Sequence, residues 1–167
     1  MKKLIIFLLM ILPLGVFAQE AKVALVNSQE IMMAMPEITA MQETMKQMND
    51  KYAGEMKTME DEFQKKYTDY IAQQDSMTEN IKLRRTQELE DIRQRVENFT
   101  QVAQQDMNKK QQELLAPIQE KLRNAIKAVG DEKGYAYIID NNPGIVLYTG
   151  NAAIDATPLV KAKLGLK

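Results

Sequence analysis

Residues 38–70 read ITAMQETMKQMNDKYAGEMKTMEDEFQKKYTDY. Apolar side chains fall at Ile38, Met41, Met45, Met48, Tyr52, Met56, Met59, Phe63, Tyr67 and Tyr70, in steps of three or four. The mean step is near 3.6, the period of an α-helix with one apolar face. A second stripe follows through Leu89, Ile92, Val96, Phe99, Ala103 and Met107, then Leu114, Ile118, Leu122, Ile126 and Val129. From Pro36 to Val129 the only Gly is Gly54 and the only interior Pro is Pro117. Between the stripes, QQDSMTEN (residues 73–80) interrupts the period. The pattern predicts two long helices folded back on each other. Helices of roughly 40 and 50 residues would reach about 60 and 75 Å, far longer than a compact domain of this size is wide.

Outward from this arm the pattern changes. Lys22-Val23-Ala24-Leu25-Val26-Asn27 is a short β-prone run, apolar on both faces, and is expected to be buried on both sides. Asn27 and Ser28 offer an N-cap for a short helix, Gln29 to Ala34. Pro36 disfavours helical backbone at Met35 and suits the first position of the long helix. At the reversal, Ser76 and Glu79 fit a capping box, and the second helix is expected to start near Thr78. Pro117 removes an N–H and clashes with the carbonyl of Glu113, so a kink is expected near Leu114. Gly130 and Gly134 end the helix. Tyr135 to Asp140 reads as a strand, Asn141-Asn142-Pro143-Gly144 as a turn, and Ile145 to Thr149 as the returning strand of a hairpin. Gly150 to Ala156 is a loop or a further short strand. Thr157 is expected to cap a last helix, with Pro158 at its first position and Gly165 as its stop.

The fold class predicted is α+β, a long antiparallel helical hairpin projecting from a small β-sheet body. The hairpin spans 36–129. The body comes from both ends of the chain, 19–35 and 130–167. A unit that small buries a marginal core and leaves strand edges to cover. Association of several copies through it answers both needs, and Val23, Leu25, Ile138, Ile139, Val146 and Leu147 are the candidate oligomerisation residues.

The N-terminus predicts the compartment. Lys2 and Lys3 precede an apolar run from Leu4 to Leu12, then Pro13, Gly15 and Val16-Phe17-Ala18. This is the layout of a secretory signal peptide, residues 1–18, cleaved after Ala18. Its apolar run is short for a membrane span, and with no Cys the usual lipoprotein anchor is excluded. Loss of Lys2 and Lys3 leaves 20 basic and 23 acidic residues, net −3. Neither that balance nor the interleaved charges of the arm suggest nucleic acid, which calls for a basic patch. Those charges read as solvated helix faces.

The 167 residues include no Cys and no His. That excludes thiol nucleophiles, imidazole bases and the usual zinc, haem and iron–sulfur ligands. There is no P-loop, no G-x-S-x-G and no G-x-G-x-x-G. Neither an enzyme nor a cofactor is expected. Ten of the twelve Met follow Ala18. They either fill the seam between the helices or face a cavity, where flexible thioethers adapt to varied apolar partners. A thioether copper site would lack any His to support it.

The layout as a whole resembles the OmpH/Skp family of periplasmic chaperones. The resemblance is carried by KVALVNSQEIM, by PEI opening a long helix, by IKAVGDEKGYAYIID and by DATPLVKAKL. It implies a homotrimer whose β-bodies join into a hub and whose arms enclose a cavity. The implied role is an ATP-independent periplasmic holdase for unfolded outer-membrane proteins, with transient membrane-surface contact. Met45, Met48, Met56, Met59, Tyr67 and Tyr70 are then the candidate client contacts. The best-known members are strongly basic. At net −3 this chain departs from them, so apolar contact has to carry more of the binding. The alternative is a trimeric coiled-coil scaffold of the envelope that holds no client.

Overall fold

The computed structural model describes residues 21–142 and 146–166. The expected signal peptide and cleavage site lie outside the described residues, as do Pro143, Gly144 and Ile145. The chain begins with strand β1 (Val23–Val26) and helix α1 (Ser28–Ala34). The Asn27 side chain accepts from the Glu30 N–H at 3.0 Å and caps α1, as its sequence suggests. Extended backbone at Met35 (φ −75°, ψ 127°) separates α1 from α2 (Pro36–Gln73). A single 3₁₀ turn (Gln74–Ser76) leads to α3 (Glu79–Lys133), then β2 (Tyr137–Asp140), β3 (Ile154–Asp155) and α4 (Thr157–Lys163).

At 38 and 55 residues, α2 and α3 extend about 57 and 83 Å. Contacts between them run in reverse order along the two helices. Lys66 pairs with Glu88 at 3.5 Å, and Arg95 with Glu62 at 3.3 Å. The Tyr52 hydroxyl donates to Asp106 Oδ2 at 2.9 Å, and Lys121 pairs with Glu37 near the start of α2. Many other charges bridge one turn of their own helix, such as Lys57–Asp61 at 3.1 Å and Arg93–Glu97 at 3.2 Å.

The core lies where the helices meet the sheet. Ala24 and Val26 of β1, Ile31 of α1, Met35 and Ile38 form one side. Ile118, Leu122, Ala125 and Val129 of α3, with Ala156 and Val160, form the other. About the last four turns of α3 and the first turn of α2 thus complete a core that the sheet and short helices could not close alone.

Several local expectations are corrected. The sheet has the order β2-β1-β3 with both pairings parallel: Val23 lies beside Tyr137, Leu25 beside Ile139, and Ala24 beside Ile154. The expected hairpin of β2 with residues 145–149 is not present among the described residues. Parallel strands need a crossover rather than a tight turn, and Val146–Thr149 belong to no strand. The later short strand is present as β3. Burial of β1 is one-sided, since Ala24 and Val26 face the core while Val23 remains 40 % exposed.

At the reversal the capping box is absent. Ser76 Oγ donates to Gln73 O within the 3₁₀ turn, and Thr78 occupies the cap position without a side-chain bond. Helix α3 runs unbroken through Pro117 and past Gly130, ending only at Gly134, whose left-handed backbone (φ 64°) suits a residue without Cβ. Thr157 is the first residue of α4 rather than its cap. Its hydroxyl instead accepts from Asn27 N at 2.9 Å, tying the end of β1 to α4.

Candidate functional site

Two surfaces carry unsatisfied apolar character. The first is the outer face of the sheet. The strand register places Val23 beside Tyr137 and Leu25 beside Ile139, two rows of apolar side chains on one face. Leu25 is half-buried, while Tyr137 is 67 % and Ile139 39 % exposed. Among the candidate oligomerisation residues, Val23, Leu25 and Ile139 are thus brought together. Ile138 points the other way, packs against the core and lies next to Gly130 of α3. Val146 and Leu147 sit in the irregular segment before β3, with Leu147 94 % exposed. Tyr137 was missed by the sequence reading, although strict alternation along a strand puts it on the face of Ile139.

The polar rim of this sheet is built by Asp140 at the end of β2. Its carboxylate accepts from the backbone N–H of Ser28 at 3.2 Å and from the Ser28 hydroxyl. A negative group at the N-terminus of α1 satisfies an orphan donor and fixes the helix against the strand end.

The second surface is the arm. Its seam is thin: between residues 39 and 117 only Ile92 and Ala103 are buried. Met45, Met48, Met56, Met59 and Tyr70 are half-buried along α2, and Tyr67 is exposed. Tyr52 meets Phe99 edge-on across the two helices at 5.7 Å, and Phe63 stacks with Tyr67 at 6.0 Å along α2. The structure thus keeps the six candidate contact residues on one long helix, none of them sealed from solvent. It adds Ile71, Ile81, Leu83 and Val102, all exposed. Ile71, Ile81 and Leu83 cluster in sequence around the reversal and were passed over because they depart from the 3.6-residue stripe.

The electrostatics of the arm are self-cancelling. Glu88 receives Arg85 at 2.9 Å, Arg84 at 3.3 Å and Lys66 at 3.5 Å. The hydrogen bond from Arg85, with further attraction from Lys66, holds its carboxyl below the ordinary glutamate range. Glu37 is held down in the same sense, first by its hydrogen bond with Lys121. Tyr52 is pushed up, chiefly by its hydrogen bond to the Asp106 carboxylate. At the arm root, Ala40, Met41, Leu114, Pro117 and Ile118 line a groove of about 320 Å³ beside the Glu37–Lys121 pair.

Among the described residues no group of three or more Asp or Glu side chains is placed to hold a metal ion. No helix among them is long and apolar enough to cross a membrane. Both surfaces offer apolar contact.

None of the curated proteins matches the chain. Among solved structures, it is similar to a crystal structure from Caulobacter crescentus described as a candidate outer membrane chaperone (OmpH-like). The two are 15 % identical, with a TM-score of 0.73 over 85 % of this chain and 82 % of that one. At that identity the likeness speaks for the fold. The model of the family "Outer membrane protein (OmpH-like)" matches residues 22–164, from just before β1 to the end of α4. With β1, the two long helices and the C-terminal elements all inside that match, the chain belongs to the OmpH-like outer membrane protein family.

Proposed function

We propose that this protein is a periplasmic chaperone that holds unfolded outer-membrane proteins without ATP. In this reading the signal peptide is removed after Ala18. α2 and α3 act as an antiparallel hairpin arm, and three bodies join through the outer sheet face of Val23, Leu25, Tyr137 and Ile139. The arms of the homotrimer then surround a client-holding cavity. The observation that carries the reading is the unsealed seam. Helices this long would ordinarily bury a continuous apolar stripe, yet here Met45, Met48, Met56, Met59, Tyr67 and Tyr70 keep access to solvent. Flexible thioethers and broad aromatic rings suit clients of varied sequence. Many weak contacts from tethered arms give avidity while each contact releases quickly. Family membership and the fold shared with the Caulobacter protein support a chaperone role.

The test is suppression of aggregation when a β-barrel membrane protein is diluted from urea. The full protein is expected to keep it soluble. A version lacking Tyr52 to Gln104, with a short turn restoring the hairpin, is expected to lose holding while keeping its oligomeric state. Because arm charges pair with one another, binding is expected to change little between low and moderate NaCl. Equal holding by the shortened protein refutes the arm as the holding surface, whereas failure of the full protein to hold the client favours the scaffold alternative. A collapse of binding with salt refutes apolar contact as the main attraction.

A further inference from the structure

Halfway along α2 and α3 the seam opens into a groove. Gly54 lies at the middle of α2, and a Cβ built on it would meet nothing within 4 Å. Gly costs about 1 kcal/mol of helix propensity relative to Ala. Beside it, the small side chains of Ala53 and Ala103 leave an open groove of about 350 Å³ between the helices. Two sulfurs line that groove, one from each helix: Met56 and Met107. Both residues are half-buried. The Thr100 hydroxyl approaches Met56 Sδ at 3.6 Å while donating to Val96 O at 2.8 Å. Each thioether is therefore part of the α2–α3 contact and also open to a small solute from solvent.

We propose that Met56 and Met107 form an oxidation-sensitive joint of the arm, modified by small peroxide-class oxidants. The sulfur lone pair attacks one peroxide oxygen and the O–O bond breaks. An S–O bond forms, and the departing oxygen takes up the released proton to leave as water. Sulfur loses two electrons and the peroxide gains them. The product, a sulfoxide, is polar and must keep its oxygen solvated. Placed between Tyr52, Ala53 and Ala103, it exchanges apolar contact for a group that draws water into the seam. Two Met residues of the body answer differently. Met33 is exposed on the body and packs against little, whereas Met35 is sealed in the core. The joint is a property of the arm itself and stands whether or not the arm holds clients.

The experiment treats the purified protein with hydrogen peroxide, maps sulfoxides by peptide mass spectrometry and follows amide hydrogen exchange. Sulfoxides are expected at Met56 and Met107, with Met35 spared. Exchange within residues 49–60 and 100–110 is expected to accelerate about tenfold, the order expected for admitting one polar group to an apolar contact, while β1 and residues 122–129 are unchanged. Methionine sulfoxide reductases of both stereospecificities should restore the original rates. A protein carrying Met56→Leu and Met107→Leu, which nearly conserve volume, should keep its arm exchange rates in peroxide. Stoichiometric sulfoxide at both positions with unchanged arm exchange overturns the proposal, as does equal loosening of the double variant. If that variant does not fold, the comparison of oxidised and repaired parent protein decides the matter alone.

Discussion

Neighbouring residues Ile138 and Ile139 on β2 give the sharpest test of the proposed assembly, because the strand sends them to opposite faces. Ile138 packs into the core against α3, and its Cδ1 lies only 3.5 Å from where a Cβ on Gly130 would be. Ile138→Asp places a carboxylate in that apolar contact at a cost of several kcal/mol. For a domain whose total stability is about 5–15 kcal/mol, this threatens the body's own fold. Ile139 is already 39 % exposed in the single chain, so Ile139→Asp should cost the subunit no more than about 1 kcal/mol. In the assembly the balance reverses. Covering the rest of Val23, Leu25, Tyr137 and Ile139 is worth about 1 kcal/mol each, roughly half the value of a fully buried side chain. Losing one such contact and burying a carboxylate in its place should cost about 3 kcal/mol or more, a weakening of association of at least 100-fold. Sedimentation velocity and far-ultraviolet circular dichroism together read the outcome. Ile139→Asp should sediment as a helical monomer, and Ile138→Asp should lose the cooperative unfolding of the body. An Ile139→Asp protein that keeps the parent's oligomeric state at micromolar concentration would refute the outer sheet face as the association surface.

Asp140→Ala should lower body stability by about 1–3 kcal/mol, because the Ser28 N–H and hydroxyl lose their acceptor; thermal unfolding measures it, and no loss would remove Asp140 as the link between β2 and α1. Glu88 is held below the ordinary glutamate value by Arg85 and Lys66, so it binds fewer protons folded than unfolded. Its contribution is present above the unfolded value of about 4.3 and is lost as pH falls through the lower folded value. Arm melting in the parent should therefore show a loss below about pH 4 that Glu88→Gln lacks, and identical acid profiles would contradict the pairing. Pro117→Ala lets residue 117 donate to Glu113 O and should stabilise α3 by about 1–3 kcal/mol. Distances between spin labels on Cys introduced at Ser76 should narrow with it, and identical distributions would remove Pro117 as a source of arm flexibility.

The sequence revealed most where a signal repeats. Each turn of the stripe from Ile38 to Tyr70 is a fresh instance of the same period, so α2 was legible to within a residue at its start, where Pro36 and Glu37 agree. The short helix after Asn27 was legible because its capping residue sits at the right distance from Glu30. The sheet was harder because its decisive contacts are non-local. Asn-Asn-Pro-Gly followed by Ile-Val-Leu-Tyr is a good local hairpin signal, but nothing local announces that β1, more than 100 residues earlier, takes both available pairings in parallel. The same distance hid the role of Thr157, whose hydroxyl serves Asn27 rather than its own helix. Of the proposed association face, Val23, Leu25 and Ile139 were readable from composition. Separating Ile139 from Ile138 required knowing which side of β2 meets α3.

The two halves of the molecule divide stability unequally, and that division is the physical basis of the proposed holding function. At the root, eleven buried residues from β1, all four helices and the links at Met35 and Ala156 close one core, so the ends of α2 and α3 are fixed by tertiary packing. Farther out, Ile92 is the one large side chain sealed between the helices. There the helices depend on their own propensity, on one-turn ion pairs such as Arg93–Glu97, and on sparse cross-links such as Tyr52–Asp106. Exposed pairs of this kind are worth only tenths of a kcal/mol each. Residues with few buried contacts open at low free energy, so the outer arm can shift its half-buried Met and Tyr side chains toward a bound chain without disturbing the core. A fully packed seam would be more stable and would leave those side chains nothing to offer. Filling it should therefore separate the two properties. Ala103→Leu, aimed at the mid-arm groove, should raise arm protection against exchange if the groove accepts it. It should also weaken holding of a urea-diluted β-barrel client. A better-protected arm that holds clients as well as the parent would show that the loose seam is not what receives them.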